Sequence, residues 1–251
     1  MYSGPQRLLL DRVIVVAGSD ARIEAVLGVG SMSNGGFDAQ SDFDFVIVGD
    51  VPASERRAFA GAMGMLLSSF TGEHVGDPDL LICLYGPPLL HADYKFAPRA
   101  ALTRFGEGPV VLWARDSAVT GGWLSNVPVG RTAPDPQWFE VRAWLWLHYG
   151  ATKWARGEYF EAISTLDFFR SMVLGPMLQR IAGLPMRGQR RLEQVPGAYD
   201  ALLPTLADYD AKAIGRSLSA AATLYVDLRQ SDTPPRLTPR MPEALFDYLR
   251  P

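Results

Sequence analysis

The stretch GSMSNGGFDAQSDFDFVIVGD, from Gly30 to Asp50, joins a turn rich in glycine and serine to an apolar run with the character of a strand. Asp42 and Asp44 stand one residue apart at the start of that run. A charged carboxylate in apolar surroundings costs free energy unless it is paired or bound to a cation. Because side chains alternate along a strand, both carboxylates point to the same side and could share one divalent cation. Hard oxygen donors at this spacing suit magnesium.

The turn before the strand has the residues of an anion site. Gly30 and Ser31 could present backbone N–H groups and a hydroxyl to a phosphate, and Gly35 and Gly36 would let the loop fold closely around it. Magnesium held between the carboxylates and a phosphate chain would offset the electrostatic cost of the two aspartates.

The joint pattern resembles the signature of the nucleotidyltransferase superfamily that includes DNA polymerase β. The pattern begins with a turn of glycine and serine, continues with a serine and two aspartates, and is followed by the strand FVIV. Its residues are Gly30, Ser31, Gly35, Ser41, Asp42 and Asp44. The resemblance implies that Asp42 and Asp44 bind Mg²⁺, that Gly30, Ser31 and Ser41 contact the nucleotide, and that a neighbouring strand carries a third carboxylate.

Asp93, in the segment HADYKFAP, is the candidate for that third carboxylate, as a metal ligand and as a catalytic group. The alternative is an aspartate at the edge of a strand that faces water. Asp79 is a weaker candidate. His74, His91 and His148 receive no role, and no cluster of histidine and cysteine indicates zinc.

Hydrophobic periodicity predicts the elements around this motif. The first half mixes helices and strands, with the third and fourth strands forming a hairpin, and the second half is helical. The class is therefore α+β with a helical bundle in the second half, and the resemblance implies that the first half is a short mixed sheet with flanking helices. The expected helices are Gln6–Gly18, Ala53–Phe70, Gln137–Arg156, Glu158–Ala182, Asp208–Arg229 and Glu243–Arg250, and the expected strands are Ile23–Val29, Phe43–Val48, Leu80–Tyr85 and Leu89–Phe96.

A segment rich in Gly, Pro, Ser and Thr separates the halves. It predicts a nucleotidyltransferase domain at residues 1–117, a linker at residues 118–136 and a helical substrate-binding domain at residues 137–251. The helical half, and above all the run ATKWARGEYFEAISTLDFFR, resembles the helical domain of the aminoglycoside and lincosamide nucleotidyltransferases.

Two residues of the helical half are candidates for the site. Lys153, near the end of a long helix, could reach a triphosphate, or could be a solvated lysine favoured by the helix dipole. Glu140 could act as general base for an acceptor hydroxyl, or could be a glutamate of the first turn that the helix N-terminus stabilises.

Composition excludes several classes of protein. The 251 residues are 48% hydrophobic and 20% charged, as in ordinary globular proteins. A net charge of −3 without basic blocks argues against nucleic acid as a partner. No apolar run is long enough to cross a membrane, and the N-terminus does not resemble a secretory signal, so we expect a cytoplasmic protein. The one cysteine, Cys83, is expected to be a core residue.

Together these features predict an enzyme that transfers a nucleoside monophosphate, AMP in the preferred case, from a nucleoside triphosphate to a hydroxyl of a small molecule. The resemblance implies an aminoglycoside or lincosamide acceptor, Mg²⁺ as cofactor and ATP as co-substrate, in a monomer or homodimer. One alternative is a regulatory or antitoxin-type protein that acts on a protein partner. A polymerase-like enzyme acting on tRNA is the other, and the acidic balance disfavours it.

Overall fold

A computed structural model describes residues 4–130 and 133–250. The chain divides into two units, Met1–Thr132 and Ala133–Pro251. The boundary falls within the segment expected to be a linker. Part of that segment is helical, because Asp116 caps the helix Ser117–Leu124 by accepting hydrogen bonds from the N–H groups of Ala118 and Val119.

The first unit is a mixed sheet with helices. Its elements are α1 (Gly4–Ser19), β1 (Ile23–Gly28), β2 (Phe43–Gly49), α2 (Ala53–Gly61), β3 (Leu66–Gly72), β4 (Asp77–Tyr85), β5 (Leu90–Ala97), β6 (Val110–Ala114) and α3 (Ser117–Leu124). The strand order is β3-β4-β5-β2-β1-β6. Only β2 and β5 run parallel, and the other neighbours are antiparallel. The predicted mixed sheet and the β4–β5 hairpin are confirmed.

One face of the sheet packs on α1 and α2. The contact is a hydrophobic cluster that includes Phe43, Phe45 and Tyr94. The rings of Phe43 and Phe45 stack at 5.1 Å between centroids, and those of Phe45 and Tyr94 at 5.4 Å. Each buried aromatic side chain contributes about 2–3 kcal/mol of apolar burial, which fixes β2 beside β5. Cys83 is buried in the same cluster, as expected.

The expected helix Ala53–Phe70 is wrong in its second half. Helix α2 ends at Gly61, and Leu66–Gly72 is strand β3 at the edge of the sheet. The glycines at 61 and 64 interrupt the helix, and the segment that follows them, rich in Ser and Thr, pairs with β4 instead.

The described part of the second unit, residues 133–250, contains helices and no strand. These are α4 (Pro136–Ala155), α5 (Tyr159–Phe169), α6 (Gly175–Ile181), α7 (Ala198–Leu202), α8 (Ala211–Ser231) and α9 (Met241–Tyr248). The expected single helix Glu158–Ala182 is α5 and α6 joined through a π-helical turn at Arg170–Leu174. Among the described residues, no helix is both long and apolar enough to span a membrane.

Candidate active site

The sheet brings two of the predicted carboxylates side by side. Asp44 of β2 is the register partner of Asp93 of β5 across the parallel pair. Because Phe43 and Phe45 face α1 and α2, Asp44 between them faces the opposite side of the sheet. Register partners lie on the same face, so Asp93 is also on that side. Asp42, one alternation before Asp44, is directed the same way.

A histidine that the sequence left without a role lies between these carboxylates. The Nε2 atom of His91 is 2.8 Å from Oδ1 of Asp93, and its Nδ1 atom is 3.8 Å from Oδ2 of Asp42. The Asp93 oxygen is buried and no donor meets it in hydrogen-bond geometry, so the close contact is an electrostatic one. Alternation along β5 could have identified His91, since it stands two residues before Asp93 and shares its face.

The environment of Asp93 disfavours its charged form. Burial raises the pKa of the Asp93 carboxyl, the nearby His91 partly offsets that rise, and the charge of Asp42 adds to it. A carboxylate with a raised pKa is a better proton acceptor than an ordinary one. Asp79, the weaker candidate, is half exposed and pairs with Arg56 at 2.8 Å between Oδ1 and Nη1. Its charge is thus already neutralised.

The glycine of the motif supports the carboxylate directly. Gly30 has φ +60°, and a Cβ atom at this position would lie 2.3 Å from Oδ2 of Asp44. The backbone carbonyl of Asp44 also accepts a hydrogen bond from the N–H of Val29 at 3.0 Å. The turn is therefore packed against β2 at the carboxylate, and only glycine provides both the conformation and the space.

Ser31 follows in a short 3₁₀ turn, Gly30–Met32. Its side chain is 3% exposed, and its hydroxyl has no hydrogen-bond partner among the described residues. A buried hydroxyl without a partner costs free energy, so an acceptor supplied by a ligand would be stabilising here.

Replacing Gly30 by alanine tests this packing, with Gly35→Ala as the matched control. Both glycines have positive φ, at +60° and +75°, but nothing lies within 4 Å of a Cβ at Gly35. Each substitution should cost about 1–2 kcal/mol for the left-handed backbone. Gly30→Ala should cost more than Gly35→Ala, because the Asp44 carboxylate has to rotate away from the new methyl group. Urea unfolding measures the difference, and equal losses for the two variants would refute the close contact.

The rest of the motif loop is held by its own side chains. The Ser41 hydroxyl donates to Oδ1 of Asp38 at 3.0 Å and accepts from the N–H of Asp38 at 2.9 Å. The side chain of Asn34 accepts from the N–H of Gly36 at 3.0 Å. Ser41 therefore shapes the loop ahead of the carboxylates, and these contacts give no support to its expected role at the nucleotide.

Among residues 4–130 and 133–250, no group of three or more His, Cys, Asp or Glu side chains is already arranged to hold a metal ion. The chemistry of the donors nevertheless fits a hard cation, because Asp42, Asp44 and Asp93 offer carboxylate oxygens on one face of the sheet. The buried Asp93 oxygen now lies 2.8 Å from His91, so a cation would have to replace this ring as its partner. Side-chain rotation would have to bring the three carboxylates together.

Glu140, the expected general base, lies in the second unit and is only 1% exposed. Its carboxylate contacts Arg229 at 3.0 Å, accepts from the hydroxyl of Tyr225 at 2.5 Å, and accepts from the N–H of Thr238 at 2.8 Å. Trp144 donates to it as well, at 3.0 Å. A carboxylate enclosed by donors in this way joins helices, so we assign Glu140 a structural role and not a catalytic one.

Lys153, the expected triphosphate contact, is also engaged within the second unit. Its Nζ atom lies 2.7 Å from Glu158 and 3.0 Å from Glu161, and 5.1 Å from the ring centroid of Tyr149. These carboxylates raise the pKa of the ammonium group above its usual range. Two partners already neutralise its charge, so the geometry favours the alternative of a structural or solvated lysine.

Comparisons with known proteins give a limited result. No protein-family model matches the chain, and no curated protein matches it. Among solved structures, the chain is similar to the crystal structure of an aminoglycoside 6-adenyltransferase from Bacillus subtilis, with a TM-score of 0.45 and 14% sequence identity over 99% of this chain and 98% of that one. A likeness of this size assigns neither a family nor an activity, so the site itself has to support any function.

Proposed function

We propose that this chain is a magnesium-dependent nucleotidyltransferase that moves a nucleoside monophosphate, AMP in the preferred case, from a nucleoside triphosphate to a hydroxyl of a small molecule. The single observation that supports it most is the register pairing of Asp44 with Asp93 on one face of the sheet. The other supports are Asp42 on the same side and a glycine turn packed on Asp44.

In this proposal Asp42, Asp44 and Asp93 hold the cation. A bound magnesium ion would neutralise charge on the phosphates and lower the pKa of the acceptor hydroxyl. His91, which now lies between Asp42 and Asp93, has to move aside when the carboxylates converge.

The glycine turn would hold the phosphate chain. Gly30 has no side chain to obstruct a phosphate beside Asp44, and the Ser31 hydroxyl can donate its unused hydrogen bond to a phosphate oxygen. The nucleotide is then fixed before the reaction, which supplies much of the rate enhancement in phosphoryl transfer.

Asp93 would accept the proton of the acceptor. Burial raises its pKa above that of an ordinary aspartate, which favours it as the proton acceptor. The acceptor oxygen attacks the α-phosphorus, the bond from that phosphorus to the β-phosphate oxygen breaks, and pyrophosphate leaves with the bond electrons. The proton of the hydroxyl passes to the Asp93 carboxylate.

The acceptor proposed from the sequence resemblance is an aminoglycoside or lincosamide. The second unit contains a cavity of about 390 Å³ whose lining includes aromatic side chains and a carboxylate: Trp146, Tyr149, Phe168 and Glu161. Aromatic faces attract cationic groups, so the amines of such an antibiotic would suit the rings of this cavity, while Glu161 is paired with Lys153.

Transfer of label tests the proposed function. The chain is incubated with Mg²⁺ and ATP labelled on the α-phosphate, with a panel of aminoglycosides and lincosamides, and separately with co-purifying protein. We expect label on a small molecule, release of pyrophosphate, and no transfer in EDTA. Label on protein alone would support the regulatory or antitoxin-type alternative. Label on neither, when ATP is replaced in turn by GTP, CTP and UTP labelled in the same way, would refute nucleotide transfer.

A further inference from the structure

The second unit carries another cavity, to which nucleotide transfer gives no role. It has a volume of about 480 Å³ and is lined by residues of α4, α8 and the end of the chain: Trp154, Lys212, Gly215, Arg216, Ser219 and Leu249. A volume of about 300–1,000 Å³ is usual for the sites of small organic ligands. All of its lining residues belong to the second unit, so this cavity is separate from the carboxylates of the first unit.

The rim of this cavity is cationic. Lys212 and Arg216 lie one turn apart on α8, both are exposed, and neither forms an ion pair within the described parts of the chain. Like charges at this spacing disfavour a helix. Asp210, the nearest acidic residue before them in sequence, uses its carboxylate to cap α8 through the N–H of Ala213 at 2.8 Å. The two cations are therefore available to an anion.

Neighbouring arginines of the same unit behave differently. Arg180 pairs with Asp232 at 2.6 Å, and Arg229 pairs with Glu140 at 3.0 Å. Each of these two arginines is matched by a carboxylate of the chain, and the pair at the cavity is not.

The floor of the cavity is apolar and fixed. The indole of Trp154 donates to the carbonyl of Ala211 at 2.7 Å, which anchors the ring to the first turn of α8. The ring packs directly on the helix backbone, since a Cβ at Gly215 would lie 2.8 Å from its Cζ2 atom. Leu249 is 6% exposed and completes the apolar wall. A ring or apolar body can pack on these groups while its charged end meets the cations.

We propose that this cavity binds a small organic anion, a phosphate or carboxylate attached to an aromatic body. Lys212 and Arg216 pair with the anionic group, and Trp154 and Leu249 contact the body. Because both cations are on one rigid helix, the anion is met by two charged donors at once, which favours a phosphate or carboxylate over a neutral polar group. Ligand binding here needs neither a triphosphate nor a divalent cation.

Calorimetric titration of the full chain with matched probes tests this inference. The probes are 1-naphthyl phosphate, 1-naphthoate, the neutral 1-naphthol, and inorganic phosphate without the ring. We expect one site for the naphthyl anions in EDTA, and binding at least about tenfold weaker for naphthol and for inorganic phosphate. The stronger of the two anions identifies the preferred charged group.

Variants locate the site. The double variant Lys212→Gln with Arg216→Gln should weaken naphthyl anion binding by at least about tenfold, since it removes two charged donors. Arg240→Gln removes an exposed cation of the same unit that does not line the cavity, and should change nothing. Circular dichroism checks that each variant is folded.

Three results would overturn the inference: no binding of either anion at about 1 mM, equal binding of naphthol, or full retention of anion binding by the folded double variant. Failure of nucleotide transfer would leave the proposal intact, because the titration is made without Mg²⁺ or ATP.

Discussion

Asp44→Asn is expected to abolish magnesium-dependent binding of ATP, and nucleotide transfer with it. Asparagine keeps the shape of the side chain on β2 and removes the charge that faces Asp93 across the register pair. Loss of even an outer hydrogen-bond partner of a metal ligand typically costs about 10–100-fold in affinity, so loss of a ligand charge should exceed about 100-fold. Calorimetric titration with ATP in Mg²⁺ and in EDTA measures this effect.

The control for this variant is Asp79→Asn. Asp79 is also a carboxylate of the first unit, but it is half exposed and pairs with Arg56. We expect ATP binding by this variant to match that of the unchanged chain. If Asp44→Asn also bound ATP with Mg²⁺ normally, Asp44 would not be a metal ligand.

Glu140→Ala should lower the free energy of unfolding by about 3–5 kcal/mol. The substitution leaves the buried guanidinium of Arg229, only 12% exposed, without its partner. It also removes the acceptor for Tyr225 and for Thr238, and so unlinks α4 from α8 and from the segment before α9. Urea unfolding at neutral pH measures the loss.

The matched control is Glu158→Ala. Glu158 pairs with Lys153 at 2.7 Å, but its side chain is 42% exposed, so solvent screens this ion pair and its contribution to stability is small. A loss from Glu140→Ala as small as that from Glu158→Ala would contradict the buried network.

The Glu140 network also sets a pH dependence. Burial raises the pKa of the Glu140 carboxyl, but hydrogen bonds from Thr238, Tyr225 and Trp144 outweigh it, so that its pKa lies below the ordinary value. A lowered pKa in the folded chain means a contribution to stability that is full above the ordinary glutamate pKa and is lost as pH falls through the folded pKa. Glu140→Gln should flatten this loss between neutral and acidic pH.

Sequence periodicity predicted the strands in which apolar residues on a buried face alternate with polar residues on the other face. β2 alternates aromatic residues with Asp44, and β5 alternates Tyr94 and Phe96 with Asp93. Those patterns predicted the two strands, while the neighbouring position of Asp44 and Asp93 was implied by the family resemblance. β3 was missed because an edge strand with exposed Leu67 and Phe70 lacks this contrast between faces.

The site was predictable only where its residues share a local pattern. Asp42 and Asp44 belong to one motif, and His91 could have been inferred from its spacing to Asp93. The structural role of Glu140 could not, because Tyr225 and Arg229 lie more than 80 positions away and only helix packing brings them to the carboxylate. The surroundings of Lys153 were hidden for a similar reason, since its position at a helix end does not reveal that Glu161 of the next helix pairs with it.

A crystal structure of the chain with Mg²⁺ and a non-hydrolysable ATP analogue would show whether the three aspartates form a metal site. We expect a magnesium ion coordinated by Asp42, Asp44 and Asp93, with His91 turned away and a phosphate oxygen bonded to the Ser31 hydroxyl. An ion or nucleotide bound elsewhere, with Asp44 and Asp93 left uncoordinated on the sheet, would contradict this expectation.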